Sequence, residues 1–127
     1  MFWRKKSDQQ KKLFSYRSDS FRLYFRVKPS LEEPVEFYIE GTAQNLIDIG
    51  AGGLSFQNNG FYNGQELSFQ IIITQASVNI LGKLQIIDID AANICHAEFK
   101  VIKEKERESI YQYVLREQKH WIDMLKG

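Results

Sequence analysis

From Pro34 to Val101 the apolar residues of this chain recur at every second position, in short runs broken by polar or glycine-rich stretches. From about Glu104 onward the period becomes helical. This switch constrains the fold more than any other feature. A period of two describes strands with one buried face, and a period near 3.6 describes a helix with an apolar stripe. "PVEFYIE" sets Val35, Phe37 and Ile39 against Glu36, Tyr38 and Glu40. "TAQNLIDI" sets Asn45, Ile47 and Ile49 against Leu46 and Asp48, and "LSF" opens a further strand. "ELSFQIIIT" alternates Leu67, Phe69, Ile71 and Ile73. "SVNILGKLQIIDID" is long, with Gly82 as a bulge or bend, and "NICHAEFKVI" sets Cys95, Ala97, Phe99 and Val101 against His96 and Glu98. Six strands at close spacing with short turns predict an antiparallel barrel or sandwich. The C-terminal segment, about 104–125, reads as one helix with Ile110, Val114, Trp121 and Leu125 in a stripe flanked by Tyr111, Leu115 and Ile122. Such a helix covers an end or flank of the barrel, or pairs with a copy of itself.

The chain has 127 residues, 43% hydrophobic and 26% charged, which suits one domain with a real core. No apolar run is long enough to span a membrane. The basic start "MFWRKKSDQQKK" lacks the apolar core of a secretory signal. The single cysteine, Cys95, has no internal disulfide partner and reads as a buried small hydrophobe, in keeping with a cytoplasmic setting. The net charge of +1 conceals an asymmetry. Residues 1–30 hold nine Lys/Arg and two Asp, whereas residues 31–127 hold eight Lys/Arg and fourteen Asp/Glu. A basic lead-in over residues 1–20, with Lys5, Lys6, Lys11 and Lys12, is either a solvated flexible tail or an arm for an anionic partner.

Little of the chain suits catalysis. His120 sits beside Lys119 on the helix and is expected to be exposed. His96 adjoins Cys95, but neighbours in a strand point to opposite faces, so they form no nucleophilic pair. Asp88 and Asp90 share a strand end and read as a solvated edge. No cluster has metal-ligand spacing.

Two short stretches carry more. "FRLYFRV" places Arg22 and Arg26 four residues apart among Phe21, Tyr24 and Phe25, with Arg17 upstream. Arginine offers a flat fork of donors to phosphate or to the O6/N7 edge of guanine, and it stacks on bases. "DIGAGGLSF" then places Gly50, Gly52 and Gly53 directly behind Asp48. Glycine in such density marks a tight turn or a close approach of backbone.

In this order and spacing, Arg22-x-x-x-Arg26 followed by Asp48-x-Gly50-x-x-Gly53 resembles the PilZ domain. That family shows RxxxR and then [D/N]xSxxG, commonly with a second glycine, here Gly52, and an apolar residue after the second arginine, here Val27. The resemblance runs from Arg17 to the end of the helix. It implies a six-stranded antiparallel split β-barrel with a C-terminal α-helix over residues 21–127. It also implies a non-catalytic bacterial receptor for cyclic di-GMP that acts through a protein partner and needs no cofactor beyond that ligand. By the same resemblance Arg22 and Arg26 reach phosphate or the guanine Hoogsteen edge, and Asp48 accepts from guanine N1–H and N2–H2. Gly52 and Gly53 make a tight reversal, with Gly53 at a φ other residues avoid and its backbone against the base. Arg17 adds a phosphate or stacking contact. The sequence departs from the pattern at Gly50, where the family has Ser. The missing hydroxyl removes about 0.5–1.5 kcal/mol, or up to roughly tenfold in affinity, and the extra glycine is expected to loosen the turn. Two alternatives stand beside this reading. One is a PilZ-like adaptor without nucleotide binding. The other is a single-stranded nucleic-acid binder, disfavoured because the body of the chain is acidic.

Overall fold

Each alternating run becomes a strand of one antiparallel sheet. A computed structural model of the chain describes residues 25–126, with the side chains of residues 121 and 124–126 excepted. The lead-in with Lys5, Lys6, Lys11 and Lys12, the arginines Arg17 and Arg22, and the side chains of Trp121 and Leu125 lie outside the described residues. The six expected strands are β2 (Val35–Ile39), β4 (Leu46–Gly50), β5 (Gly53–Gln57), β6 (Glu66–Ile73), β7 (Val78–Ile89) and β8 (Ile94–Val101). Two two-residue strands join them, β1 (Arg26–Val27) and β3 (Thr42–Ala43). The C-terminal period is met by one helix, α1 (Glu104–Lys126).

The strand order is β1-β4-β5-β8-β7-β6-β2-β3, and every pairing is antiparallel. Short connections account for most of this order. Glu40 and Gly41, both at positive φ, reverse the chain between β2 and β3, where Ile39 pairs with Thr42. The sheet curls upon itself. β2 and β5 lie well apart in the strand order, yet the rings of Phe37 and Phe56 sit 5.2 Å apart. The inward faces meet in one core, with Ile49, Leu54, Ile71, Ile80, Leu84 and Ile86 fully buried. Each such side chain contributes about 1.5–3 kcal/mol relative to exposure.

The helix closes this core. Ile110, Tyr113 and Val114 are fully buried, at the i, i+3, i+4 spacing of an inward stripe, and α1 packs against β1 and β4. The stripe differs from the expected one. Its next member is Glu117, 8% exposed, and Ile122 at 40% lies outside it. Glu117 is tolerated there because Ser30 Oγ donates to its Oε2 at 3.0 Å. The segment between β1 and β2 is strapped to the helix at three more points. Tyr113 OH donates to the Glu33 carbonyl at 2.6 Å, Arg116 Nε meets the Glu33 carboxylate at 3.2 Å, and His120 lies 3.1 Å from Glu32.

One expected face assignment fails. The alternation puts Leu46 and Asp48 on the same side of β4. Instead Leu46 pairs with Phe56 and Asp48 with Ser55, so Ile47 is an extra residue in a bulge. The bulge turns Leu46 toward the core and leaves Asp48 on the outer face.

Candidate functional site

The outer face of β1, β4 and β5 carries the residues singled out in the sequence. Arg26 pairs in register with Gly50, and Val27 with Ile49. This places the Arg26 side chain beside Asp48, with Nη1 donating to Oδ1 at 3.5 Å. The two side chains are 23% and 31% exposed. A long, single-point, half-exposed ion pair of this kind stabilises a fold by about 1 kcal/mol at most. Both groups therefore keep hydrogen-bonding capacity for something else.

Gly50 and Gly53 let neighbouring strands approach closely rather than bending the chain through unusual dihedrals. The positive-φ glycines among the described residues are Gly41, Gly60 and Gly64. The expectation that Gly53 takes a φ forbidden to other residues is thus not met. Gly53 lies inside β5, and a Cβ there would stand 2.1 Å from the Ala97 carbonyl oxygen on β8. Its glycine requirement comes from backbone meeting backbone. Gly50 is likewise a strand residue and loosens no turn. A Cβ on it would lie 2.4 Å from the Phe25 carbonyl oxygen and 3.0 Å from Arg26 Cγ. The reversal itself consists of Ala51 and Gly52. It is pinned on both sides: the Gly52 carbonyl accepts from Phe99 N–H at 3.0 Å, and the Ala51 carbonyl from Arg107 Nη1 at 2.9 Å.

Arg107 was invisible as a site-shaping residue because it lies on the far side of the sequence, in the first turns of α1. Ser55, His96 and Asp90 were missed as a group for a similar reason. Ser55 pairs with Asp48 on one side and His96 on the other. His96 Nε2 lies 2.8 Å from Asp90 Oδ2. Asp90 keeps the solvent exposure expected of a strand-end carboxylate, at 38%, but it is also tied down by hydrogen bonds. Its Oδ1 accepts from Ala92 N–H and Ile94 N–H at 2.9 and 3.1 Å; the bond to His96 first, and these backbone donors after it, hold its pKa below the usual carboxylate range. On the inner face Cys95 is buried, and burial pushes its thiol upward, as expected of an inert core cysteine.

Beside Arg26 a groove of about 300 Å³ runs between β1 and the helix, lined by Phe25, Arg26, Val27, Lys28, Glu117 and Gln118. The described residues contain no cluster of His, Cys, Asp and Glu arranged for a metal, and no helix among them is long and apolar enough to cross a membrane.

Neither the family models nor the curated proteins contain a match to this sequence. Solved structures do. The chain is similar to the PilZ domain of YcgR from Escherichia coli, a structure with c-di-GMP, at 15% identity and a TM-score of 0.59, covering 84% of this chain and 98% of that one. It is similar to the Bacillus subtilis inhibitor of motility MotI/DgrA at 19% identity and a TM-score of 0.62, over 78% of this chain and 51% of that one, about half of the longer protein. It is also similar to the uncharacterised Legionella protein Lpg0364, at 17% identity and a TM-score of 0.57, over 82% of this chain and all of that one. An antiparallel barrel with these strands, this helix and these likenesses has the PilZ-domain fold.

Proposed function

We propose that this chain is a non-catalytic receptor for cyclic di-GMP, acting in the bacterial cytoplasm. The observation that carries the reading is the meeting of Arg26 and Asp48 on the outer face, from positions 22 residues apart in sequence, on a fold shared with a PilZ domain solved with that ligand. Cyclic di-GMP presents guanine donors and phosphate acceptors. Asp48, acceptor-only, suits N1–H and N2–H2. Arg26, with Arg22, suits phosphate or the O6/N7 edge. Arg17 adds a third cation, and Gly50, Gly52 and Gly53 keep the backbone beneath the ligand flat. The basic lead-in closes over the bound dinucleotide and so alters a surface that a partner protein reads.

Calorimetric titration of cyclic di-GMP into the unmodified chain tests this. Binding is expected, with Kd raised about 10- to 100-fold by Arg26→Ala or Asp48→Ala, since each removes hydrogen bonds to a charged group. Absence of heat at high micromolar ligand refutes the reading. One observation favours a second reading, an adaptor that has lost the nucleotide: position 50 has no room for the family's serine. Capture of the same partner with and without cyclic di-GMP distinguishes the two.

A further inference from the structure

Asp48, Ser55 and His96 form one row across β4, β5 and β8 as direct register partners. Their chain neighbours Ile49, Leu54, Cys95 and Ala97 lie in the core, so the three side chains share the outer face. Adjacent strands are about 4.8 Å apart, which gives the row a span of roughly 10 Å, the scale of a base and its substituents. Ser55 is 1% exposed and lies low between Asp48 at 31% and His96 at 34%.

The chemistry of the row is that of an acceptor surface. Asp90 is fixed by two backbone donors on Oδ1, which leaves Oδ2 for the imidazole. An ionised carboxylate can only accept, so His96 Nε2 donates to Asp90 Oδ2, and in that imidazole tautomer Nδ1 carries the lone pair. A guanine held by Asp48 through N1–H and one N2–H has a second N2–H, which points away from that pair and which Asp48 cannot reach. With Gly50 unable to carry a side chain, the next polar groups along the sheet are the Ser55 hydroxyl and His96.

We propose that His96, with Ser55 beside it, takes the second amino hydrogen of the guanine bound at Asp48, and that Asp90 is the residue that positions the imidazole for this contact. The proposal rests on the cyclic di-GMP reading above and adds to it a determinant of specificity for the exocyclic amino group. Hypoxanthine, which is guanine without that amino group, provides the probe.

The test is titration of the full chain with cyclic di-GMP and with cyclic di-IMP, for the unmodified protein and for His96→Ala, Ser55→Ala and Asp90→Asn. Asp90→Asn is the informative change. Its amide oxygen still accepts from Ala92 and Ile94, so the turn is kept, but its NH2 now donates to Nε2 and moves the imidazole proton to Nδ1. The preference for cyclic di-GMP over cyclic di-IMP is expected to fall about three- to tenfold in His96→Ala and Asp90→Asn, and less in Ser55→Ala. A merely structural role for Asp90 would lower affinity for both ligands together and leave their ratio untouched. An unchanged ratio in both His96→Ala and Asp90→Asn, with the unmodified chain binding normally, overturns this proposal and leaves the receptor reading intact. No binding by the unmodified chain overturns the receptor reading itself.

Discussion

Restoring the family's serine at position 50 is a sharp test of the structural reasoning, because motif and structure give opposite answers. By the motif alone, Gly50→Ser regains a hydrogen bond of about 0.5–1.5 kcal/mol and tightens binding by up to tenfold. By the structure, the new Cβ arrives 2.4 Å from the Phe25 carbonyl oxygen, about 1 Å inside ordinary contact. β4 is fixed by β5 on its other side, whereas β1 is a two-residue strand that, among the described residues, pairs with β4 alone. Relief therefore comes from displacing β1. The cost is that of overpacking, about 1–3 kcal/mol. Loss of the β1 ladder bonds, about 0.5–1.5 kcal/mol each, falls in the same range. Either route lowers Tm on the order of 5–15 °C for a domain of this size. Displacing β1 also carries Arg26 away from Asp48. On the receptor reading, the lost charge-assisted contact, about 1.5–3 kcal/mol, outweighs the ~0.5–1.5 kcal/mol the serine restores, so cyclic di-GMP binding weakens by roughly tenfold. Calorimetric melting and ligand titration of Gly50→Ser, with Gly50→Ala as the variant that has the clash and no hydroxyl, measure both effects. Unchanged Tm with equal or tighter binding in Gly50→Ser refutes the argument from close approach.

Four other expectations concern the scaffold. Gly53→Ala drives a Cβ to 2.1 Å from the Ala97 carbonyl between two interior strands, so its loss of stability lies at or above the top of the same range, about 3 kcal/mol, as denaturant unfolding would measure. Tyr113→Phe leaves the Glu33 carbonyl without the phenolic donor it now has at 2.6 Å, and costs about 1–3 kcal/mol in the same assay. In Tyr113 itself, burial first and the Glu117 charge second push the phenol upward. The stability linked to its ionisation is therefore complete below the unfolded value near 10 and is lost as pH climbs through the higher folded value, which absorbance of tyrosinate during alkaline unfolding follows. For Asp90 the sign is opposite. Its pKa is held below the unfolded carboxylate range, so the turn from β7 to β8 is stabilised above about pH 4 and loosens as pH falls through the folded value, seen as lower protection of the Ala92 and Ile94 amides relative to their intrinsic exchange rates.

How much of this was legible follows from which interactions are local. The alternating runs and the change of period declare six strands and a helix, because burial of one strand face and one helix stripe leaves its mark residue by residue. The two-residue strands β1 and β3 leave no period to read. The bulge at Ile47 is silent for another reason: the sequence of β4 alternates plausibly in either register, and only pairing with β5 shows that Leu46 and Asp48 face opposite ways. Glu117 reads as a solvated helix residue until the strand-to-strand segment brings Ser30 to it from 87 positions away.

The glycine cluster shows the same division with more consequence. The resemblance to the PilZ pattern marks Asp48, Gly50 and Gly53 as a unit, but it cannot say what each glycine avoids. Gly50 avoids Phe25, the residue just before β1, and Gly53 avoids Ala97 on β8, two neighbours on opposite sides of the β4–β5 hairpin and far apart in sequence. The missing serine thus has a steric origin: the close seating of β1 that holds Arg26 next to Asp48 is incompatible with a side chain at 50. The polar side chains that register does bring into line with Asp48 are Ser55, 1% exposed and set low, and beyond it His96, 34% exposed. A polar group required at a surface can come from any strand whose register brings it there, and register is the property a linear motif does not record.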